Sequence, residues 1–217
     1  MENEKENEKM NFIERIIAEL KKDIGNMEDE AYLSESDFQF EFANKAKALG
    51  AEKVLIELPY VFDDDTTRKR IDVYFEYEGT KYYVELKYKT CLFKDLTRYG
   101  MKTELPLANQ SAENDAMFAF REDVERMEKL LLSKSGENVK AYCVFLSNYH
   151  GFWERHLEGS VISTVQLSDE IKAEHLKYKN EKSTDISNVY SLVWKDFKKL
   201  GTEQVMRYLI VECRPKH

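Results

Sequence analysis

Hydrophobic positions near the start of the chain repeat every three to four residues. Ile13, Ile16, Ile17, Leu20 and Ile24 form one stripe, which predicts a helix from Met10 to Ile24 closed by Gly25-Asn26. Residues 1–9 hold four Glu and two Lys with no hydrophobe after Met1, so they are expected to fray or to extend that helix. A second helix is expected to begin near Ser34 or Ser36. Ser36 with Gln39 makes one capping box and Ser34 with Asp37 a weaker one; Phe38, Phe42, Ala46 and Leu49 follow, and Gly50 ends the helix. The period then shortens to two. Residues 53–60, 70–77 and 81–88 read as strands rich in β-branched and aromatic side chains, the first two joined by a polar turn at Asp63 to Thr67. Residues 109–132 return to helical spacing, with Met117, Phe120, Val124, Met127 and Leu131 on one stripe. Residues 141–146 are continuously apolar, as in a strand buried on both faces. Residues 168–188 read as a surface loop or short exposed helix, and 190–194 and 205–213 as two further strands. No repeat and no linker composition divides the chain. The expected architecture is one α/β domain over residues 1–217.

Composition narrows the function classes. Of 217 residues, 42% are apolar and 12% aromatic, enough for a core and too many for a disordered chain. The 41 acids against 33 bases leave a formal charge of −8, so a polyanion must be met by a local patch or through a metal ion. No apolar run reaches the roughly 18–20 residues of a membrane span, and the acidic N-terminus lacks the apolar stretch of a signal peptide. Cys91, Cys143 and Cys213 are odd in number and widely spaced, as expected of reduced thiols. A cytoplasmic protein with no membrane partner is the expectation. No Gly-rich phosphate loop is present, and His150, His156 and His175 lack a zinc-ligand spacing.

The chemistry concentrates between Arg70 and Tyr88. Alternation puts Ile71, Val73 and Phe75 on one face and Asp72 on the other; Val84, Leu86 and Tyr88 share a face opposite Glu85 and Lys87. A two-residue loop at Glu78-Gly79 would set Asp72 directly across from Glu85 and Arg70 across from Lys87. Opposed carboxylates repel, because facing Cβ atoms stand about 4.5–5.5 Å apart. A divalent cation converts the repulsion into ligation, and Mg²⁺ suits one or two carboxylates completed by waters and phosphate oxygens. Lys87 adds an ammonium on the same face, able to orient or help deprotonate an attacking water or to hold a phosphate oxygen. The parts make a metal-assisted hydrolytic site for a phosphodiester.

Asp72 followed by Glu85-Leu86-Lys87 on the next strand resembles the PD-(D/E)xK signature of restriction-endonuclease-like nucleases. Further resemblance to one bacterial and archaeal branch lies in Ser34 to Gln39, Lys87-Tyr88-Lys89-Thr90, Asn109-Gln110-Ser111-Ala112 and Phe145-Leu146-Ser147-Asn148. It spans about Ser34 to Trp153, with weaker echoes at Trp194 and Tyr208 to Glu212. Ile71 stands where the signature has Pro. The resemblance implies a central mixed β-sheet flanked by helices, and a Mg²⁺-dependent endonuclease acting on nucleic acid, DNA first, with Mn²⁺ as substitute and a homodimer compatible with it. It implies Asp72, Glu85 and the Leu86 backbone carbonyl as metal ligands, Lys87 at the attacking water, Gln110 as the glutamine of the following helix, and a helix glutamate upstream. At about 100° per residue, Glu35 falls inside the apolar arc of Phe38, Phe42, Ala46 and Leu49, whereas Glu41 falls outside it. Glu35 is therefore the first choice and Glu41 the reserve.

Each feature has a plainer reading. Asp72 and Glu85 could be solvated faces of an exposed hairpin, Glu35 an ordinary first-turn acid, and Gln110 a helix cap. Asp63 to Asp65 are adjacent and cannot easily converge on one ion. Arg68, Lys69, Arg70, Lys89 and Lys94 could form a phosphate-contacting strip or merely balance Glu76, Glu78 and Asp95. Cys143, Trp153 and Trp194 read as packing residues. A catalytically inactive member of the same fold, serving as a nucleic-acid-binding or assembly subunit, is the alternative function.

Overall fold

The protein is described here from a computed structural model covering residues 10–24, 29–61, 69–104, 106–108, 112–156 and 159–217. Gln110, the Asp63 to Asp65 turn, Arg68 and the Gly25-Asn26 stop lie outside the described residues.

The chain folds as an α/β structure around a mixed sheet. Helix α1 (Phe12–Ile24) buries Ile13, Ile16, Ile17, Leu20 and Ile24, the stripe read from the sequence. Helix α2 (Glu35–Ala48) follows, then strands β1 (Glu52–Tyr60), β2 (Lys69–Tyr77) and β3 (Thr80–Lys89). A short hairpin of β4 (Thr97–Arg98) and β5 (Met101–Lys102) precedes helix α3 (Glu113–Ser133). Strand β6 (Val139–Ser147) comes next, then helix α4 (Val161–Val165), β7 (Glu170–Ile171), β8 (Glu174–Lys177), β9 (Ser183–Ile186) and β10 (Tyr190–Ser191). Strands β11 (Lys195–Leu200) and β12 (Gln204–Glu212) close the chain.

The central sheet has the order β1-β2-β3-β6-β12-β11, parallel only between β3 and β6. That one parallel pair needs a crossover, and α3 supplies it. Strand β6, flanked on both sides, is buried along Ala141–Ser147, which is why its sequence is continuously apolar. One face carries Val73, Phe75, Val84, Leu86, Tyr88 and Val144 beneath α1 and α2. The other carries Tyr74, Tyr83, Cys143, Phe145 and Leu209 beneath the apolar stripe of α3. Each fully buried large side chain contributes about 1.5–3 kcal/mol.

The β2–β3 hairpin turns at Glu78 (φ 49°) and Gly79 (φ 73°), both left-handed, the backbone that makes a two-residue loop follow the strand twist. Its ladder has the expected register, Tyr77↔Thr80 through Val73↔Val84. The ladder stops there, which corrects one expectation: Arg70 pairs with Pro59 of β1, not with Lys87. A second correction concerns faces. Ile71 packs with the α3-side cluster, opposite to Val73 and Phe75. The cause lies in β1, where Ile56 pairs with Val73 and Leu58 with Ile71, so Glu57 stands opposite Asp72; Glu57 has a left-handed φ of 57° that breaks the alternation at this level.

Three other segments differ from the sequence reading. Residues 168–188 form the β8–β9 hairpin and a strand that pairs with β10, rather than a loop or exposed helix, because Ile171, Thr184 and Ile186 bury apolar surface between charged neighbours. The strand expected over 190–194 is only Tyr190–Ser191 and lies outside the central sheet. Strand β11 lacks a sequence signature: KDFKKL is lysine-rich, as an exposed sheet edge tends to be, with Phe197 and Leu200 facing inward.

Candidate metal and hydrolytic site

The site forms where β2 and β3 separate. Beyond Val73↔Val84, β2 continues against β1 and β3 against β6. Two carboxylates meet the N–H groups on the β3 edge facing this gap. Asp72 Oδ2 accepts from Leu86 N at 2.6 Å, and Glu35 Oε2 accepts from Tyr88 N at 2.9 Å. In an extended strand the N–H and C=O of one residue point to the same side, so the Leu86 carbonyl lies on this edge too.

Helix α2 is held in place to deliver Glu35. Ser34 is its N-cap, the Oγ accepting from Asp37 N at 3.1 Å, so the Ser34–Asp37 box forms instead of the Ser36–Gln39 one. Arg98 grips the same turns: its guanidinium donates to both Asp37 oxygens at 3.0 and 3.1 Å and to Glu41 Oε1 at 3.0 Å. Glu41 thus belongs to the Arg98 cluster, and Glu35 is the helix glutamate at the gap. Gln39 serves elsewhere. Its Nε2 donates to the Asp72 carbonyl at 2.7 Å and to Glu57 Oε1 at 3.1 Å, replacing strand pairing at the point of separation.

Glu85 and Lys87 face α3, which answers with charge. Lys87 Nζ lies 3.2 Å from Asp123 Oδ2; Arg126 Nη2 lies 2.7 Å from Asp123 Oδ1 and 2.8 Å from Glu85 Oε1. Asp123 and Arg126 escaped the sequence reading, although their i,i+3 spacing on the face of α3 turned toward the sheet was a usable signal. The Arg126 contact pairs the Glu85 carboxylate with a guanidinium inside the fold. Glu85 Oε1 is itself buried.

Burial governs the electrostatics. Glu85 is only 4% exposed, which rules out a solvated hairpin face. Burial pushes Asp72 up to about 6, against the lowering effect of its bonds to Leu86 N–H and Glu85; Asp123 and Glu35 add like charge. Glu85 rises well above the usual carboxylate range, first through burial, then through Asp123, while Arg126 opposes the rise. The two carboxyls are close enough to titrate as a coupled pair. Burial pulls Lys87 down, but Asp123 and Glu35 outweigh it and the amine ends above its ordinary value. Lys87 is therefore an ammonium at neutral pH, suited to orienting water or holding an oxyanion, and not to accepting a proton.

Asp72, Glu85, Lys87, Glu35 and the Leu86 carbonyl thus lie around one gap. Of the basic strip, Arg70 turns to Glu57 at 3.2 Å, and Lys69 and Lys94 are exposed. Cys143 is core, with its sulfur 3.8 Å from that of Cys213, and Trp153 packs on Trp194. Among the described residues no three His, Cys, Asp or Glu side chains converge as a ready-made metal cage. No described helix is long and apolar enough to cross a membrane. Compared with family models, curated proteins and solved structures, the chain matches none.

Proposed function

We propose that this protein is a Mg²⁺-dependent phosphodiesterase of restriction-endonuclease-like architecture, cleaving nucleic acid, with DNA as the first substrate to test. The observation that carries the reading is the buried Asp72–Glu85 pair beside the Lys87 ammonium at the gap between β2 and β3. The β2–β3 hairpin followed by the α3 crossover into parallel β6 supports the architectural part.

The donor set fits a hard divalent cation. Mg²⁺ takes one or two carboxylates and fills its octahedron with water and phosphate oxygens, so two acids and a backbone carbonyl suffice where a three-acid cage is lacking. The buried Glu85 Oε1 faces the Arg126 guanidinium, a cation that a metal ion at this oxygen would replace. Fully ionised, the carboxylates of Asp72, Glu85, Asp123 and Glu35 exceed the cations Lys87 and Arg126 by a local charge of −2, which one such ion neutralises. When bound, the ion would polarise a phosphoryl oxygen and ease ionisation of its water. Lys87 holds a non-bridging phosphate oxygen or the attacking water. Asp123 fixes the Lys87 ammonium and Arg126 together. Glu35 orients water at the β3 edge while pinning Tyr88 N–H. Gln39 keeps Asp72 turned into the gap.

The test is cleavage of plasmid, single-stranded DNA and RNA in Mg²⁺ or Mn²⁺. Lys87→Ala is expected to lose about 10²–10³-fold in rate, the effect of removing one preorganised cation from developing charge, and Glu85→Ala all measurable activity. No cleavage of any substrate by folded wild-type protein would overturn the reading.

One observation favours the non-catalytic alternative. Arg126 already brings a cation to Glu85, and Asp123 already occupies Lys87. A binding or assembly subunit would keep this arrangement closed and show no metal affinity that depends on Asp72.

A further inference from the structure

Helix α3 carries a second buried charge that the site above does not use. Arg121 and Asp123 are two residues apart and project about 200° from each other, so Arg121 points away from the carboxylate pair. It is 2% exposed, and its Nη2 donates to Glu174 Oε1 at 2.8 Å. Its Nε is buried without any partner. A guanidinium presents five N–H groups in a planar fork, and leaving one orphaned in the interior is costly. The contrast with Glu128 on the same helix is informative, because that buried carboxylate accepts from Ser187, Asn188 and Tyr190.

Arg121 lines a cavity of about 310 Å³, at the lower end of the size of small-molecule sites. Arg155 and Lys172 line it too, beside Ser163. Acids are also present, and two of them act as orienters: Glu174 holds Arg121, and Asp169 Oδ2 holds the Arg155 guanidinium at 3.0 Å. Each fork is thereby fixed on one side by its carboxylate. With acids and bases balanced around the cavity, no general field draws anions in; selectivity falls to the Arg121 guanidinium, which Glu174 holds at its wall.

We propose that this cavity binds a small molecule through one compact oxyanion, a carboxylate or a phosphate, seated on Arg121 with Arg155 and Lys172 at the rim. The site is separate from the proposed hydrolytic centre and does not depend on it.

The test is isothermal calorimetry and thermal unfolding of the full chain with sodium phosphate, and separately with sodium acetate, against sodium chloride at matched ionic strength. Saturable binding of at least one oxyanion is expected. It should be lost in Arg121→Met and weakened about tenfold in Arg155→Ala and in Lys172→Ala. The two rim variants carry the test if Arg121→Met does not fold, since both side chains are on the surface. Saturation by phosphate alone identifies a phosphate ligand, and by acetate alone a carboxylate ligand. Absence of saturation with both, or equal binding in wild type and rim variants, would overturn the proposal.

Discussion

Replacing Asp72 with Asn should stabilise the metal-free protein at high pH while abolishing its proposed function. Burial raises the Asp72 carboxyl from 3.8 to about 6, which corresponds to about 3 kcal/mol between its protonated and ionised forms. Because the folded value lies above the unfolded one, the associated stability is fully present below 3.8 and disappears as pH rises through 6. Asn is neutral throughout and its Oδ1 can still accept from Leu86 N–H, although a neutral acceptor gives up about 1 kcal/mol there. The net gain at pH 8 is roughly 2 kcal/mol, or about 4–8 °C in Tm for a domain of this size. The assay is urea and thermal unfolding of both proteins in chelator at pH 5 and pH 8. The variant should be no more stable than wild type at pH 5 and clearly more stable at pH 8. A difference that is absent at pH 8, or of opposite sign, would show that Asp72 does not carry a costly buried charge.

Arg126→Gln removes the cation beside Glu85 and Asp123, so Mn²⁺ should bind about tenfold more tightly than to wild type, roughly 1.4 kcal/mol; calorimetric titration showing weaker binding would contradict a competing role for Arg126. Arg98→Ala leaves Asp37, Glu41 and Glu30 facing one another without their shared guanidinium. A loss of about 3–5 kcal/mol in denaturant unfolding is expected, and a change below 1 kcal/mol would show that Arg98 does not hold α2. Glu128→Ala orphans donors of Ser187, Asn188 and Tyr190. It should cost at least about 3 kcal/mol and expose residues 187–190 to faster amide exchange, an effect that unaltered exchange would disprove.

Much of this site could be read from the chain because its parts are local. The Glu78-Gly79 turn fixes the hairpin register, and the register places Asp72 near Glu85 and aims Glu85 and Lys87 at one face. The helical arc of Phe38, Phe42 and Ala46 carries Glu35 to the sheet, where it caps Tyr88 N–H. What the sequence hid is non-local. The left-handed Glu57 on a neighbouring strand ends regular alternation at Asp72, and no pattern within residues 70–77 signals it. Asp123 and Arg126 resemble the ordinary charged side of an amphipathic helix until the crossover lays them over Glu85 and Lys87. Arg98 sits in an irregular stretch with no periodicity, and only the folded chain gathers Glu30, Asp37 and Glu41 around it. Strand β11 was concealed by its lysines, including Lys198, whose buried ammonium donates to the Ile24 carbonyl at 2.7 Å.

The most direct measurement is calorimetric titration of the chelator-stripped protein with Mn²⁺, repeated on Asp72→Asn and Glu85→Gln shown to be folded. A divalent ion drawn to the gap between β2 and β3 gives saturable one-site binding to the wild type and none to either variant. Wild-type protein that takes up no ion, or variants that take it up as well as wild type, would leave the two acids as a buried structural pair and end the hydrolytic reading.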